Sequence, residues 1–175
     1  MTRPDPDPET HIAALAALRA ARGEGALGTG VEFAPGIAFH ADPGLGLSGR
    51  YSSPAGRLLE LSARISGVGD WAALHIALDL PDLGGLGWIG FACRTAAPRE
   101  VMIRPCLRTG EEGGFADRFF PKHILSGPEV RGHLDAFDLA EVPELPRAAP
   151  WRELVLFCPR TDFDWHLHDL RVFAA

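Results

Sequence analysis

Two histidines one residue apart, His166 and His168, stand near the end of the sequence in the stretch FDWHLHDLRVFAA. On a β-strand, side chains two apart share a face, so both imidazoles would point the same way. A transition metal needs about three or four converging ligands, and by residue type His75, His133 and Asp169 could contribute. Asp169 would point to the opposite face of a regular strand. The pattern therefore favours a solvated strand face over a metal centre.

A metal-dependent enzyme is the alternative for these histidines. An HxH strand resembles the start of the cupin metal motif, which continues with a glutamate a few residues on and a histidine in a later strand. Neither residue follows His168 in this sequence. A small cupin-like enzyme that uses His166 and His168 stays as the second hypothesis.

Motifs for covalent or phosphate chemistry are missing from the sequence. It contains no GxSxG elbow, and no cysteine lies in a recognisable cysteine-hydrolase motif. The GEG and GTG fragments do not follow a strand and open a helix, as phosphate-binding loops do. We therefore expect a protein that is not an enzyme.

Polar and aromatic side chains at alternate strand positions are the remaining candidates for a site. If their strands are neighbours, rings, guanidinium groups and carboxylates would form one shallow surface. Sugars bind to such surfaces through an aromatic ring under the apolar side of the sugar and through bidentate hydrogen bonds to hydroxyls. The predicted ligand-binding residues are Trp71, His75, Asp79, Arg104, Arg108, His166 and His168.

Period-two alternation is the main structural signal beyond residue 30. In WAALHIALDL, the alternate residues from Ala72 to Leu80 are apolar, and Trp71, His75 and Asp79 face the other way. Turn residues separate the apolar runs, as in antiparallel sandwiches and barrels. The sequence predicts an all-β fold, an antiparallel β-sandwich. The runs are Val31–His40, Leu58–Ser66, Trp71–Leu80, Gly87–Cys93, Arg99–Arg108, His133–Leu139, Trp151–Cys158 and Asp164–Phe173.

The N-terminal stretch has a helical period instead. Asp7, Pro8 and Glu9 form a helix start, and the helix is expected to end at Gly23. The glycine-rich stretch GEGALGTG that follows predicts a flexible link. Residues 1–30 would then form a helical leader with its link, and residues 31–175 would form the sandwich. Because the apolar face of the helix is thin, it would lie on its own domain or dock through residues 5–22 on another subunit.

Composition restricts the partners and the compartment. The net charge of −6 argues against a nucleic-acid surface, which clusters Lys and Arg. No stretch approaches the ~20 apolar residues of a membrane helix, and the N-terminus lacks the pattern of a signal peptide. Three widely spaced cysteines in apolar runs indicate reduced core thiols. We expect synthesis in the cytoplasm, with release as part of a particle as one route outside.

The segment WRELVLFCPRTDFDWHLHDLRVF resembles the end of galactose-binding-domain-like jelly rolls, the fold of many carbohydrate-binding modules. GRLLELSARISGVGDWAALHIALDL is similar to their early pair of core strands. The resemblance implies a jelly-roll sandwich that binds a ligand without catalysis and needs no cofactor. It also implies a structural calcium ion at Asp169 together with Glu32 or Asp42, the oxygen ligands that calcium prefers.

A non-catalytic carbohydrate-binding protein is thus the first hypothesis. With its helical leader, it resembles the head spikes or head fibres that attach phage-like or gene-transfer-agent particles to cell-surface polysaccharide. Multivalent attachment would favour a homo-oligomer, because weak sites gain avidity when linked. A purely structural sandwich subunit is the third hypothesis.

Overall fold

A computed structural model describes residues 13–20 and 22–175 of the chain. These residues form one helix, thirteen strands and a 3-10 turn at Pro43–Leu45. The elements are α1 (Ala13–Ala20), β1 (Glu24–Leu27), β2 (Gly30–Ala34), β3 (Ile37–Ala41), β4 (Ser48–Ser52), β5 (Leu59–Arg64), β6 (Ala72–Leu78), β7 (Trp88–Ala96), β8 (Val101–Glu111), β9 (Gly114–Phe119), β10 (Ile124–Ser126), β11 (Arg131–Asp138), β12 (Arg152–Phe157) and β13 (Phe163–Ala174).

The strands form two antiparallel sheets that pack face to face. The first sheet has the order β1-β4-β5-β13-β7-β11. The second sheet has the order β10-β8-β12-β6-β3-β2, and β9 also pairs with β8. The all-β sandwich prediction is confirmed.

Alternation along the strands builds the core between the sheets. Leu74 and Ile76 of β6 belong to the same buried hydrophobic cluster as Leu59 and Leu61 of β5. Pleating turns every second side chain inward, so the intervening residues face away from the core. The faces predicted for β5, β6 and β8 are confirmed, and the outward residues of each sheet become candidates for binding.

A β-bulge in β13 changes the phase of the last strand. The pairing with β7 shifts between Leu167 and Asp169, so an extra residue is accommodated there. Leu167 and Leu170 are both buried, whereas His168 and Asp169 between them are half-exposed. The expectation that Asp169 would point away from His168 is wrong, because the bulge turns both side chains outward.

A buried arginine ties the segment before β12 to the second sheet. The Arg152 side chain donates hydrogen bonds to Leu80 O (2.9 Å), Thr109 Oγ1 (3.0 Å), Pro146 O (2.6 Å) and Arg147 O (2.9 Å). Its exposed fraction is 1%. Burial lowers the pKa of Arg152, and Asp82 partly opposes this effect. Arg152 therefore holds the sheet and the loop together.

The N-terminal region belongs to the sandwich over its described part. Leu15 and Leu18 of α1 are buried in the core, and Arg19 donates to Leu170 O at 2.8 Å. Strand β1 pairs with β4, so the prediction of a flexible link is wrong for Glu24–Leu27. The predicted helix start at Asp7 lies outside the described residues, as do residues 5–12 and 21 of the docking segment 5–22.

Within residues 13–20 and 22–175, no helix has the length and apolarity required to cross a membrane.

Candidate functional site

The outer face of the second sheet arranges its side chains in rows across the strands. In one row, Cys106 of β8 lies opposite Val155 of β12, and Val155 lies opposite His75 of β6. In the next row, Arg108 of β8 lies opposite Glu153 of β12. Strand β12 thus stands between β6 and β8 and joins their outward residues into one surface.

Three small residues form the floor of this surface. Ala73, Cys106 and Val155 point away from the core, yet each has an exposed fraction of 0%. They form an apolar cluster separate from the core, and Phe119 and Phe157 pack against it. Burial raises the pKa of the Cys106 thiol to about 12, so the floor is uncharged. Complete burial on an outer face means that larger neighbouring side chains cover these three residues. We call the outer face of β6, β12, β8 and β9 the groove.

An ion pair and a hydrogen bond hold two polar side-chain pairs of the groove. Arg108 donates through Nε to Asp117 Oδ1 at 2.6 Å and through Nη2 to Asp117 Oδ2 at 2.7 Å. His75 Nδ1 lies 3.0 Å from Glu153 Oε2. Bidentate pairing fixes the planes of both groups in the first pair. Hydrogen-bonding groups are thereby oriented before any ligand arrives.

Aromatic rings line one end of the groove. Trp71 lies edge-to-face with His75 (6.4 Å between ring centroids), and Phe119 lies 5.7 Å from Phe157. The Arg104 guanidinium carbon stands 3.5 Å above the Phe119 ring centroid. Trp71, Phe119, Phe157 and Arg104 line a cavity of about 650 Å³, together with Asp162 and its neighbours. The cavity offers exposed ring surface next to polar groups.

A second aromatic pair marks the other end of β8. Trp151 lies against Gly110, where an added Cβ would come within 2.5 Å of its indole ring. Phe115 of β9 pairs in register with Gly110 and carries the Arg108 guanidinium over its ring at 3.9 Å. Trp151 and Phe115 are 40% and 53% exposed. The groove therefore has exposed aromatic surface at both ends.

The structure brings together only part of the predicted ligand-binding set. Trp71, His75, Arg104 and Arg108 lie on this face, and Asp79 follows β6 in the same alternation. His166 and His168 lie on β13 in the first sheet, so they do not join the surface predicted for them.

The two histidines belong to a separate polar face on the first sheet. A cavity of about 290 Å³ there is lined by His166 with Arg50, Glu60 and Asp164, among others. Burial, reinforced by Arg57 and His166, lowers the pKa of His168, which favours the neutral imidazole. The carboxylates of this face have partners already, since Glu60 pairs with Arg57 and accepts from Ser52.

At acidic pH, Asp164 should lose its contribution to the free energy of unfolding. Its Oδ1 accepts from Ser62 Oγ at 2.6 Å and from Arg64 Nη2 at 3.2 Å. The Ser62 hydroxyl, opposed by burial and reinforced by Arg64, lowers the pKa of Asp164. A carboxyl whose pKa is lower in the folded state than in the unfolded state stabilises the folded state at neutral pH. That contribution is lost as the pH falls through the lowered pKa. Asp164→Asn should therefore cost about 1 kcal/mol at neutral pH.

Melting temperatures measured from neutral to strongly acidic pH check this prediction. The gap between the parent protein and Asp164→Asn should close below the lowered pKa. A gap that stays constant across the range would contradict it.

The three carboxylates of the predicted calcium site have other partners or positions. Asp42 accepts from the backbone N–H groups of Gly44 and Asp70, both at 2.8 Å. Asp169 pairs with Arg19 at 3.2 Å, and Glu32 lies on β2 in the second sheet. Among the described residues, no group of three His, Cys, Asp or Glu could hold a metal ion. Asp169 and Glu32 lie on different sheets, and the calcium site stays a prediction.

Several groove residues lie outside the predicted ligand-binding set. Glu153 and Phe157 occupy the outward positions of WRELVLFC, where alternation marks them. Residues 109–132 lie between two of the predicted apolar runs, and the structure places there the end of β8, then β9, β10 and the start of β11. A two-residue turn at Glu112–Gly113, with φ +79° at Gly113, was the signal that could have placed Phe115 and Phe119 on this face.

Comparison with solved structures identifies the fold. The chain is similar to the CBM22-1 xylan-binding domain of Paenibacillus barcinonensis Xyn10C, with TM-score 0.51, 7% identity and 90% of each chain covered. A CBM4 structure matches with TM-score 0.49, 10% identity and coverage of 100% of this chain and 93% of that one. A family 11 carbohydrate-binding module of Clostridium thermocellum matches with TM-score 0.46, 12% identity and coverage of 86% and 87%.

The first of these likenesses confirms the predicted jelly-roll fold, the fold of carbohydrate-binding modules. At this level of identity it concerns the fold alone. No family model matches the sequence. No curated protein matches it significantly either.

Proposed function

We propose that this protein binds carbohydrate without catalysis, in the groove on the outer face of the second sheet. The observation that carries the proposal is the floor of Ala73, Cys106 and Val155, fully buried on an outward face. The half-buried rings of Phe119 and Phe157 pack against it, and the exposed Trp71 lines the same cavity as these two rings. Sugar rings have one apolar side and a rim of hydroxyls. They suit a site that offers aromatic surface beside oriented polar groups.

The polar groups of the groove match sugar hydroxyls in their chemistry. Asp117 and Glu153 accept hydrogen bonds, and Arg108 and His75 hold these carboxylates in fixed positions. Charge-assisted hydrogen bonds are roughly twice as strong as neutral ones. Aromatic contact supplies affinity and these fixed groups supply selectivity. A solved structure of the same fold, CBM22-1, is named as a xylan-binding domain, which supports a polysaccharide partner.

A tryptophan comparison tests the proposal. The chain offers a matched pair, since Trp71 in the groove is 39% exposed and Trp88 on the first sheet is 48% exposed. The full-length protein and both alanine variants would be titrated against a panel of plant and bacterial surface polysaccharides. Trp71→Ala should weaken binding about tenfold, as loss of an aromatic contact does, whereas Trp88→Ala should leave it unchanged.

The opposite pattern, loss on Trp88→Ala alone, would put the site on the first sheet. No binding by the parent protein to any glycan at millimolar concentration would favour a structural subunit.

A finer form of this proposal concerns the biological setting. The protein would be a surface appendage, of the head-spike or head-fibre type, on a phage-like or gene-transfer-agent particle. It would be synthesised in the cytoplasm and released with the particle. A homo-oligomer would multiply the modest affinity of each groove. Leu15 and Leu18 are buried in the same chain's core, so attachment to a particle would depend on residues 1–12.

Mass measurement in solution tests the assembly part of the proposal. The full chain should form an oligomer, and a variant that starts at residue 13 should lose it while still binding glycan. A full chain that is monomeric at high concentration would contradict multivalent attachment.

A further inference from the structure

We propose that the ligand is an acidic polysaccharide and that Arg104 binds the carboxylate of one of its sugars. This inference rests on the proposed function and names the class of its ligand. It starts from the different partners of the two arginines that point outward from β8.

Arg108 and Arg104 differ in what their guanidinium groups can still bind. Arg108 is committed to Asp117 through two hydrogen bonds of 2.6 and 2.7 Å. Arg104 is exposed and makes no ion pair within the part of the chain that the structure describes. Its guanidinium carbon stands 3.5 Å from the Phe119 ring centroid. Contact with the ring orients the group and leaves its N–H donors for a ligand.

The surroundings of Arg104 add further positive charge. Two smaller cavities, of about 200 and 170 Å³, adjoin the 650 Å³ cavity, and all three share Glu100 and Val101. Four arginines that make no ion pair among the described residues line these cavities: Arg99, Arg104, Arg131 and Arg160.

Carboxylates line the same cavities but do not cancel this charge. Asp164 is neutralised by its ion pair with Arg64, which leaves Asp70, Glu100 and Asp162 against the four guanidinium groups. One positive charge is therefore in excess here, although the whole chain has a net charge of −6. A local excess of the opposite sign selects an anionic ligand.

The shape of guanidinium identifies the anion as a carboxylate on a sugar. Its N–H donors form a planar fork that matches two carboxylate oxygens. The exposed ring of Trp71 and the half-buried ring of Phe157 in the same cavity favour an apolar surface next to that carboxylate. A sugar acid within a polysaccharide provides both groups.

Matched polysaccharides test the inference. The full-length protein would be titrated calorimetrically with polygalacturonate, alginate and hyaluronate, and with the carboxyl-reduced form of each. We expect at least one acidic polymer to bind roughly tenfold more tightly than its reduced form, the size of a charge-assisted contact. Arg104→Gln should abolish that difference and Arg104→Lys should retain part of it.

Two controls separate a specific contact from general attraction. Arg94→Gln removes an exposed arginine from β7 in the first sheet and should not change the difference. Double-stranded DNA, a polyanion without sugar carboxylates, should bind weakly.

The outcomes distinguish this inference from the proposed function. Equal affinity for acidic and reduced polymers, preference for neutral glycans or for chitosan, or equally tight binding of DNA would overturn the acidic ligand. If the protein binds acidic and reduced polymers equally, or prefers neutral glycans or chitosan, the proposed function still holds, provided that Trp71→Ala weakens that binding. Absence of binding to every glycan would overturn both.

Discussion

Replacing Arg152 with methionine is expected to lower the free energy of unfolding by about 3 kcal/mol. Methionine fills most of the buried volume but donates no hydrogen bond. Leu80 O, Thr109 Oγ1 and two loop carbonyls would lose their donor inside the protein. Each buried acceptor left unpaired costs about 1–3 kcal/mol, partly recovered where water reaches the loop. Urea denaturation monitored by tryptophan fluorescence measures the change.

Arg118→Met is the matched control for this substitution. Arg118 pairs with Glu144 at the surface, where the two side chains are 40% and 53% exposed. Exposed ion pairs contribute about 0–1 kcal/mol, so the control should be close to the parent protein. Similar losses for both variants would show that Arg152 does not hold the loop before β12.

Replacing Phe157 with alanine is expected to weaken glycan binding between about ten- and a hundredfold. The ring lines the large cavity, lies 5.7 Å from Phe119 and packs against the floor cluster. Its removal takes away contact surface and also the support that orients Phe119 beneath Arg104. Isothermal calorimetry with the best polysaccharide of the panel measures the loss.

Phe173→Ala controls for the removal of a half-buried ring. Phe173 lies on β13, on the outer face of the first sheet, with its Cζ where a Cβ on Gly90 would come within 2.6 Å. This variant should keep the parent's affinity. An equal loss of affinity in both phenylalanine variants would indicate a general structural effect rather than a contact in the groove.

Alternation explains why the face of each groove residue on β6 and β8 could be predicted. Leu74 and Ile76 are apolar and His75 is polar, and a strand can satisfy this pattern only by turning His75 away from the core. The same holds for Arg104 and Arg108 on β8. Period-two patterns thus locate outward residues, one strand at a time.

Membership of a sheet could not be predicted in this way. His166 and Trp71 both occupy outward positions, but β13 pairs with β5 and β7 while β6 pairs with β3 and β12. Pairing depends on long-range contacts that no local pattern records. The predicted surface therefore combined residues from two opposite faces of the sandwich.

Local irregularities account for the other differences. The bulge at Leu167–Asp169 places an extra residue in β13 and changes which side chains point inward. No glycine or proline at this point of the sequence indicates the bulge. The side chains of β9 are mostly exposed, so its sequence lacks the buried apolar alternation that marks a strand. FADRFF therefore has the composition of a loop. Its contribution to the site comes from pairing with β8, through Phe115, Asp117 and Phe119.

Residue-resolved NMR during a polysaccharide titration tests the location of the site most directly. Using isotope-labelled full-length protein and a binding fragment of the best polysaccharide, we expect the largest shifts at Trp71, His75, Arg104, Arg108 and Phe157, on β6, β8, β12 and the turn before β6. The indole signals of Trp71 and Trp151 should move, and that of the buried Trp165 should not. Shifts centred on His166 and Asp164 in the first sheet would contradict a groove on the second sheet.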